Sequence, residues 1–221
     1  MTIKSCLLIT FAFMASFAAQ AQEVNTNMKF HIVEEDSWLR VLAYPDGPLR
    51  RFGHNHVISH HNISGSVGVA SNPLESIIML SLKVADFDID NPAIRELEGQ
   101  EFEKEVSQKD IDGTRVNMLG ENLLYGEKFP KIEIHSKAIN GNLPDVDILA
   151  TVIIKGAEHQ VKIPARIELT DDLFMARGQF EVTHGDLGLT PFSAAGGALT
   201  VRDLLVFKYE ISGGASEENK Q

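Results

Sequence analysis

The 221-residue sequence contains one cysteine, Cys6, and it lies inside the apolar run at the N-terminus. Without that run nothing remains to form a disulfide, an iron–sulfur cluster, a thiolate zinc site, a covalent c-type haem or a cysteine nucleophile. Positive charge is also scarce: 20 Lys plus Arg stand against 31 Asp plus Glu, a formal net charge of −11. Such a surface repels polyanions, which argues against nucleic-acid binding and against adsorption to anionic lipid. Long apolar stretches are missing after residue 21. The one present, residues 7–18, follows Lys4, is broken by Thr10 and Ser16, and precedes Ala19-Gln20-Ala21. It is shorter than the ~20 residues of a membrane-spanning helix, and the small-x-small triplet has the pattern of a signal peptidase site. The expectation is a signal peptide over 1–21, cleaved before Gln22, and a periplasmic or secreted mature chain with no transmembrane segment. About 200 residues can bury a sufficient core without disulfides. Phosphate-loop and hydrolase signatures are lacking too. Phe192-Ser-Ala-Ala-Gly-Gly197 has no terminal Lys-Ser/Thr, and Ser193 has no G-x-S-x-G elbow around it, so that segment reads as a loop near a ligand entrance. Nothing here points to an enzyme.

What is present is alternation. Val161, Ile163, Ala165, Ile167 and Leu169 fall on one side of an extended segment, with Lys162, Arg166 and Glu168 on the other. Phe174, Ala176, Gly178, Phe180 and Val182 repeat the pattern, as do Leu205, Phe207, Tyr209 and Ile211, and Val146, Ile148, Ala150, Val152 and Ile154. Asn140-Gly141, between 132–139 and 146–155, predicts a tight hairpin turn. Consecutive hairpins with one apolar face each predict a mainly β, antiparallel meander, closed as a barrel or folded as a sandwich. The middle differs. Asn91-Pro92 is a cap and first turn for a helix over 93–106, and Ser107 with Asp110 is a near capping box for a second short helix through Leu119. Two helices inserted there are expected to lie over a barrel mouth. The chain reads as one domain over 29–213 and a disordered polar tail over 214–221.

Four of the eight histidines fall within eight residues: Gly53-His54-Asn55-His56, then His60-His61. On a strand, side chains at i and i+2 share a face, so His54, His56 and His60 point one way and His61 the other. A step of about 7 Å between same-face imidazoles can be bridged by one metal ion, and Asp86, Asp88 and Asp90 alternate in the same way. Three readings stay open. His54 and His56 hold a metal or haem; or His54, Asn55 and His56 donate hydrogen bonds to a lipid head group or quinone carbonyl at a barrel mouth; or the segment is a tight polar turn whose imidazoles bond nearby carbonyls. Against the first, there is no H-x-x-x-H helix pattern and no acidic third ligand at fixed spacing. His60-His61 reads as an exposed bend. Arg95 either forks onto a phosphate or carboxylate head group or makes surface pairs with residues such as Glu98. His184-Gly185-Asp186 offers an acid–base pair or, more simply, an ordinary turn built from Gly and Asp, and the turn is the favoured reading.

Several segments, taken in order, carry a likeness. Ser64-Gly-Ser-Val67 opens a strand, Val84-Ala-Asp-Phe-Asp-Ile-Asp90 precedes the helical region with Arg95, and Phe129-Pro-Lys-Ile132 leads into another strand. Ala150-Thr-Val-Ile-Ile-Lys-Gly156, with His159 and Val161, forms a hairpin, Gln179 to Gly188 a penultimate strand, and Asp203 to Ile211 a last one. Over 29–213 this ordered set resembles the YceI-like family of exported, lipocalin-like barrels that bind polyisoprenoid or other long-chain lipids. Asn117-Met118-Leu119-Gly120 departs from it where many members carry a His-Leu-x-Ser-like stretch, and Gly-His-Asn-His marks a subgroup. The resemblance implies a lipocalin-like barrel that sequesters or carries a polyisoprenoid, quinone or fatty-acid-like lipid. His54, Asn55, His56 and Arg95 would then stand at the polar end, and Val152, Ile154, Phe180 and Phe207 along the chain. No other cofactor is assigned, and a homodimer is left open. From alternation alone the inward rows serve equally as a tunnel lining or as a solid core. The alternatives are a metal- or haem-binding protein using His54 and His56, and a structural or stress-related module without a ligand.

Overall fold

Each alternating row forms a strand in the computed structural model, which describes residues 26–217; the expected signal peptide lies outside them. Three of the strands are interrupted. β1 (Thr26–Ile32) and β2 (Trp38–Ala43) are halves of one strand, split by a tight helical turn at Glu34–Asp36. After the short β3 (Pro45–Asp46), β4 (His56–His60) and β5 (Ser64–Ala70) make the second strand, and β6 (Ile77–Lys83) with β7 (Asp88–Ile89) the third. Then come α1 (Pro92–Leu97), α2 (Gln108–Leu119), and the long strands β8 (Lys131–Asn142), β9 (Asp145–Ile154), β10 (Ala157–Leu169) and β11 (Leu173–Thr183). The chain ends through β12 (Ser193–Ala194), β13 (Leu199–Val201) and β14 (Leu204–Ala215).

The ring closes through the split strands. β5 pairs with β1 and β6, β4 with β2 and β7, and β14 joins β11 on one side to both β1 and β2 on the other. The result is a closed antiparallel barrel of eight strands, the barrel rather than the sandwich of the two arrangements that the patterning allows; β7, paired with β4 alone, is left at an edge. β12, β13 and β3 form a separate three-stranded patch beside one end.

Local expectations differ from the structure in four places. Asn140-Gly141 lies within the ladder, opposite Asp147 and Val146. The turn falls at Leu143-Pro144, because a proline has no N–H to give the ladder. The helix expected over 93–106 stops at Leu97, since Gly99 takes a left-handed φ of 87° and starts a new short turn. Its continuation does not cover the mouth. Phe102 packs with Leu42 and Val57 on the outer wall of β2 and β4, where the buried Glu98 carboxylate accepts from Arg40 Nη1 at 2.9 Å and Lys208 Nζ at 2.6 Å. α2 does lie over the mouth. Finally, β14 runs on through Gly214 and Ala215, which pair with His31 and Phe30 of β1, so the ordered barrel extends past residue 213.

Packing divides the interior along its axis. The end away from α2 is filled by Phe30, Val67, Ile139, Val146 and Ile167, with the ring of Phe174 6.1 Å from that of Phe30. The end under α2 is not.

Candidate functional site

Beneath α2 the barrel encloses a cavity of about 260 Å³, and a second of about 80 Å³ lies deeper. Leu39, Leu82, Ile134, Ile163 and Phe180 border both. The walls are strand residues of the inward rows, among them Val152, Ile154, Phe180 and Phe207; the last two stack with centroids 5.1 Å apart. The roof comes from one face of α2 (Thr114, Asn117 and Met118, at helical spacing), from Leu123 and Leu124, and from Leu187, Leu189 and Phe192 after β11. Among the described residues only four that line the larger cavity are polar: His56, Thr114, Asn117 and His184. The alternation rule therefore serves both purposes, core at one end and cavity lining at the other.

His56 is held from behind. Its Nδ1 lies 2.6 Å from Asp90 Oδ2, while Asp90 Oδ1 accepts from the Val57 amide at 2.9 Å and Arg95 Nη1 at 2.5 Å. Asp90 is 1 % exposed and sits at a left-handed φ of 55°, a conformation Asp tolerates better than most residues. Burial pushes its carboxyl up, but the hydrogen bond and charge of His56, the Val57 amide and the Arg95 guanidinium more than offset this and hold it below the usual carboxylate range. Arg95 is itself buried. Its remaining bonds go to the carbonyls of Asn55, at 2.7 Å, and Lys104, at 2.9 Å, and Asn55 donates to the Glu101 carbonyl. The cluster thus pins the start of β4 to the turn before α1 and to the outer loop.

His54 stands beside His56, ring centroids 6.2 Å apart. Burial, then the nearby Lys104 charge, pushes its imidazole below the ordinary value. Across the cavity, the buried His184 has its Nδ1 2.8 Å from the Asp203 carbonyl.

Neither a protein-family model nor a curated protein matches the sequence. Solved structures do. BcnA of Burkholderia cenocepacia superposes with a TM-score of 0.59 at 11 % identity, over 82 % of this chain and 98 % of its own. A polyisoprenoid binding domain from Saccharophagus degradans, implicated in plant cell wall breakdown, gives 0.57 at 11 % over 86 % and 99 %. The YceI protein of Campylobacter jejuni gives 0.52 at 10 % over 72 % and 85 %. The chain has the YceI-like fold.

Within this YceI-like barrel the residues singled out from sequence separate into groups. Val152, Ile154, Phe180, Phe207 and His56 line the cavity; His54, Asn55 and Arg95 do not. Arg95 is neither a surface residue nor paired with Glu98, and its guanidinium is occupied by Asp90 and two backbone carbonyls. His60 is no exposed bend. It is fully buried, its Nε2 3.0 Å from the Lys83 carbonyl and its ring against Phe87 at 4.9 Å, whereas His61 is exposed. Of the three alternating aspartates only Asp90 reaches a histidine; Asp86 accepts from Asn62 and Asp88 from Asn91. Among the described residues no three His, Cys, Asp or Glu side chains are gathered so as to hold a metal ion. The set His54 and His56 stays at two.

Sequence reasoning misses Thr114, favours a turn for His184 and assigns Asn117 no role, yet all three line the cavity. A signal for His184 existed, since it continues the inward row of Phe180 and Val182, and Thr114 and Met118 are one turn apart on α2. For Asn117 the family comparison pointed the other way.

Proposed function

We propose that the protein is an exported carrier or sequestering protein for a long-chain lipid, held with its tail in the barrel interior and its polar end near His56. The observation that carries this reading is the apolar cavity left open inside a closed barrel whose other end is filled by side chains. Packing normally removes such voids, and a dry apolar cavity of about 150 Å³ already accepts benzene. On that scale about ten carbons fit, and burying them contributes about 8 kcal/mol before the costs of association. The polyisoprenoid binding domain among the similar folds supports a prenyl-type tail. Export rests on the residues before 22. No helix among the described residues is long and apolar enough to cross a membrane.

The test is native mass spectrometry of the full chain purified from the exported fraction of its host. A co-purifying prenyl, quinone or acyl lipid is the expected result, together with uptake of geranylgeraniol by delipidated protein. Absence of both overturns the proposal.

A further inference from the structure

The four polar residues facing the cavity differ in which nitrogen or oxygen they leave free, and that difference selects ligands. His184 Nδ1 lies 2.8 Å from the backbone carbonyl of Asp203. A carbonyl only accepts, so the proton is on Nδ1 and Nε2 carries a lone pair. His56 Nδ1 lies 2.6 Å from the Asp90 carboxylate, which already accepts from the Val57 amide and Arg95. This carboxylate too only accepts, so His56 in its neutral form has the same tautomer; in its charged form Nε2 donates, and His184 alone is the acceptor. Among the described residues neither Nε2 has a hydrogen-bond partner. His184 is 4 % exposed, and both rings border an otherwise apolar space. Thr114 spends its hydroxyl proton on the Asp110 carbonyl at 2.9 Å, which leaves only its oxygen lone pairs. Asn117, on the exposed rim, is among the described residues the one side chain lining the larger cavity that keeps donors to offer when both imidazoles are neutral.

We infer that the cavity selects lipids whose polar end carries a hydroxyl, a prenol or a quinol type of head, over the same lipids ending in a carbonyl, ester or ether. A hydroxyl donates to Nε2 of His56 or His184. A carbonyl or ether oxygen placed there meets a lone pair and leaves an imidazole nitrogen unpaired in apolar surroundings. This inference rests on the lipid-binding reading and narrows it, since a quinone carbonyl, one of the ligands considered from sequence, is disfavoured against its reduced form.

The test compares geranylgeraniol with its O-methyl ether, identical in tail and lacking only the hydroxyl proton, by displacement of a fluorescent fatty-acid probe from the delipidated full chain. The buffer is mildly alkaline. The alcohol is expected to bind about tenfold more tightly, the effect of one well-placed buried hydrogen bond. In His184→Phe/His56→Phe protein that still melts cooperatively, the two lipids bind alike. Equal binding of alcohol and ether to the unmodified protein overturns this inference and leaves lipid carriage standing; binding of neither overturns both. The wild-type comparison decides the matter even if the variants do not fold.

Discussion

Replacing Asp90 by Asn removes one charge from the most enclosed ionic group at the cavity while keeping its shape. The backbone there is left-handed, and Asn accepts that conformation as well as Asp does, so strain does not enter the comparison. Asn Oδ1 can keep the bonds from the Val57 amide and Arg95 Nη1 that Asp90 Oδ1 makes. What is lost is the negative charge opposite a guanidinium whose side chain is 6 % exposed. Removing one partner of a buried pair costs about 3–5 kcal/mol, because the other charge stays buried without compensation. For a domain of this size each kcal/mol lowers Tm by about 2–4 °C, so the fall is about 6–20 °C by differential scanning calorimetry. The double variant Asp90→Asn/Arg95→Met should recover part of this, since the stranded charge is gone. The pH dependence follows from the sign of the shift. The Asp90 carboxyl is depressed in the folded protein, so its contribution is complete above the unfolded value of about 4 and is lost as pH falls through the depressed one. The Asn variant lacks that acid limb. The substitution also turns an N–H towards His56 Nδ1, moves the ring proton to Nε2 and makes His56 a donor into the cavity, so the preference for alcohol over ether narrows. A Tm within about 2 °C of the parent refutes the reasoning, because it means that Asp90 and Arg95 are solvated or bonded otherwise.

Three further substitutions test other parts of the structure. Val152→Trp places an indole in the cavity wall and should cut geranylgeraniol binding at least about tenfold, each excluded methylene being worth about 0.8 kcal/mol; unchanged affinity by titration means the lipid lies elsewhere. Tyr209→Phe removes the bond from the phenol to the Pro164 carbonyl, 2.8 Å long and buried, and should cost about 1–2 kcal/mol, seen as a lower urea midpoint at constant slope. The His60 imidazole is pushed below its ordinary value by burial, the Lys83 carbonyl only partly offsetting this. Stability should therefore decline as pH falls below about 6.5 and do so less in His60→Leu; urea midpoints with the same slope against pH in both proteins contradict this.

The barrel was legible in the sequence because a period of two is a local property. Val146 to Ile154 or Leu205 to Ile211 alternates whether or not its partner strand is known. What was not legible depends on partners far away in the chain. The interruption at Glu34–Asp36 lets β14 serve two half-strands, and the one at Val84–Asp86 lets β6 pair with β5 while β7 pairs with β4; no pattern of polarity announces either. The helix over 93–106 fails for a local reason, Gly99, but the docking of Phe102 on the outer wall depends on Leu42 and Val57, which lie on two strands distant from it in the chain. Nor could alternation tell a filled interior from a hollow one, since Val146 in the packed end and Val152 in the cavity wall belong to the same row.

The histidines show the same division in finer detail. Spacing placed His54, His56 and His60 on one face and suggested a shared ligand. Yet β4 begins only at His56, and His60 is taken by Lys83 and Phe87, so only His56 of the three borders the cavity. Its counterpart is His184, on the far wall. Whether an imidazole facing a ligand gives or takes a proton is decided by the atom behind it, here Asp90 and the Asp203 carbonyl, 34 and 19 residues distant. Residue type supplies the possibility of a polar contact, and the fold supplies its direction. A site read from sequence as a set of donors is, in the folded chain, predominantly a set of acceptors.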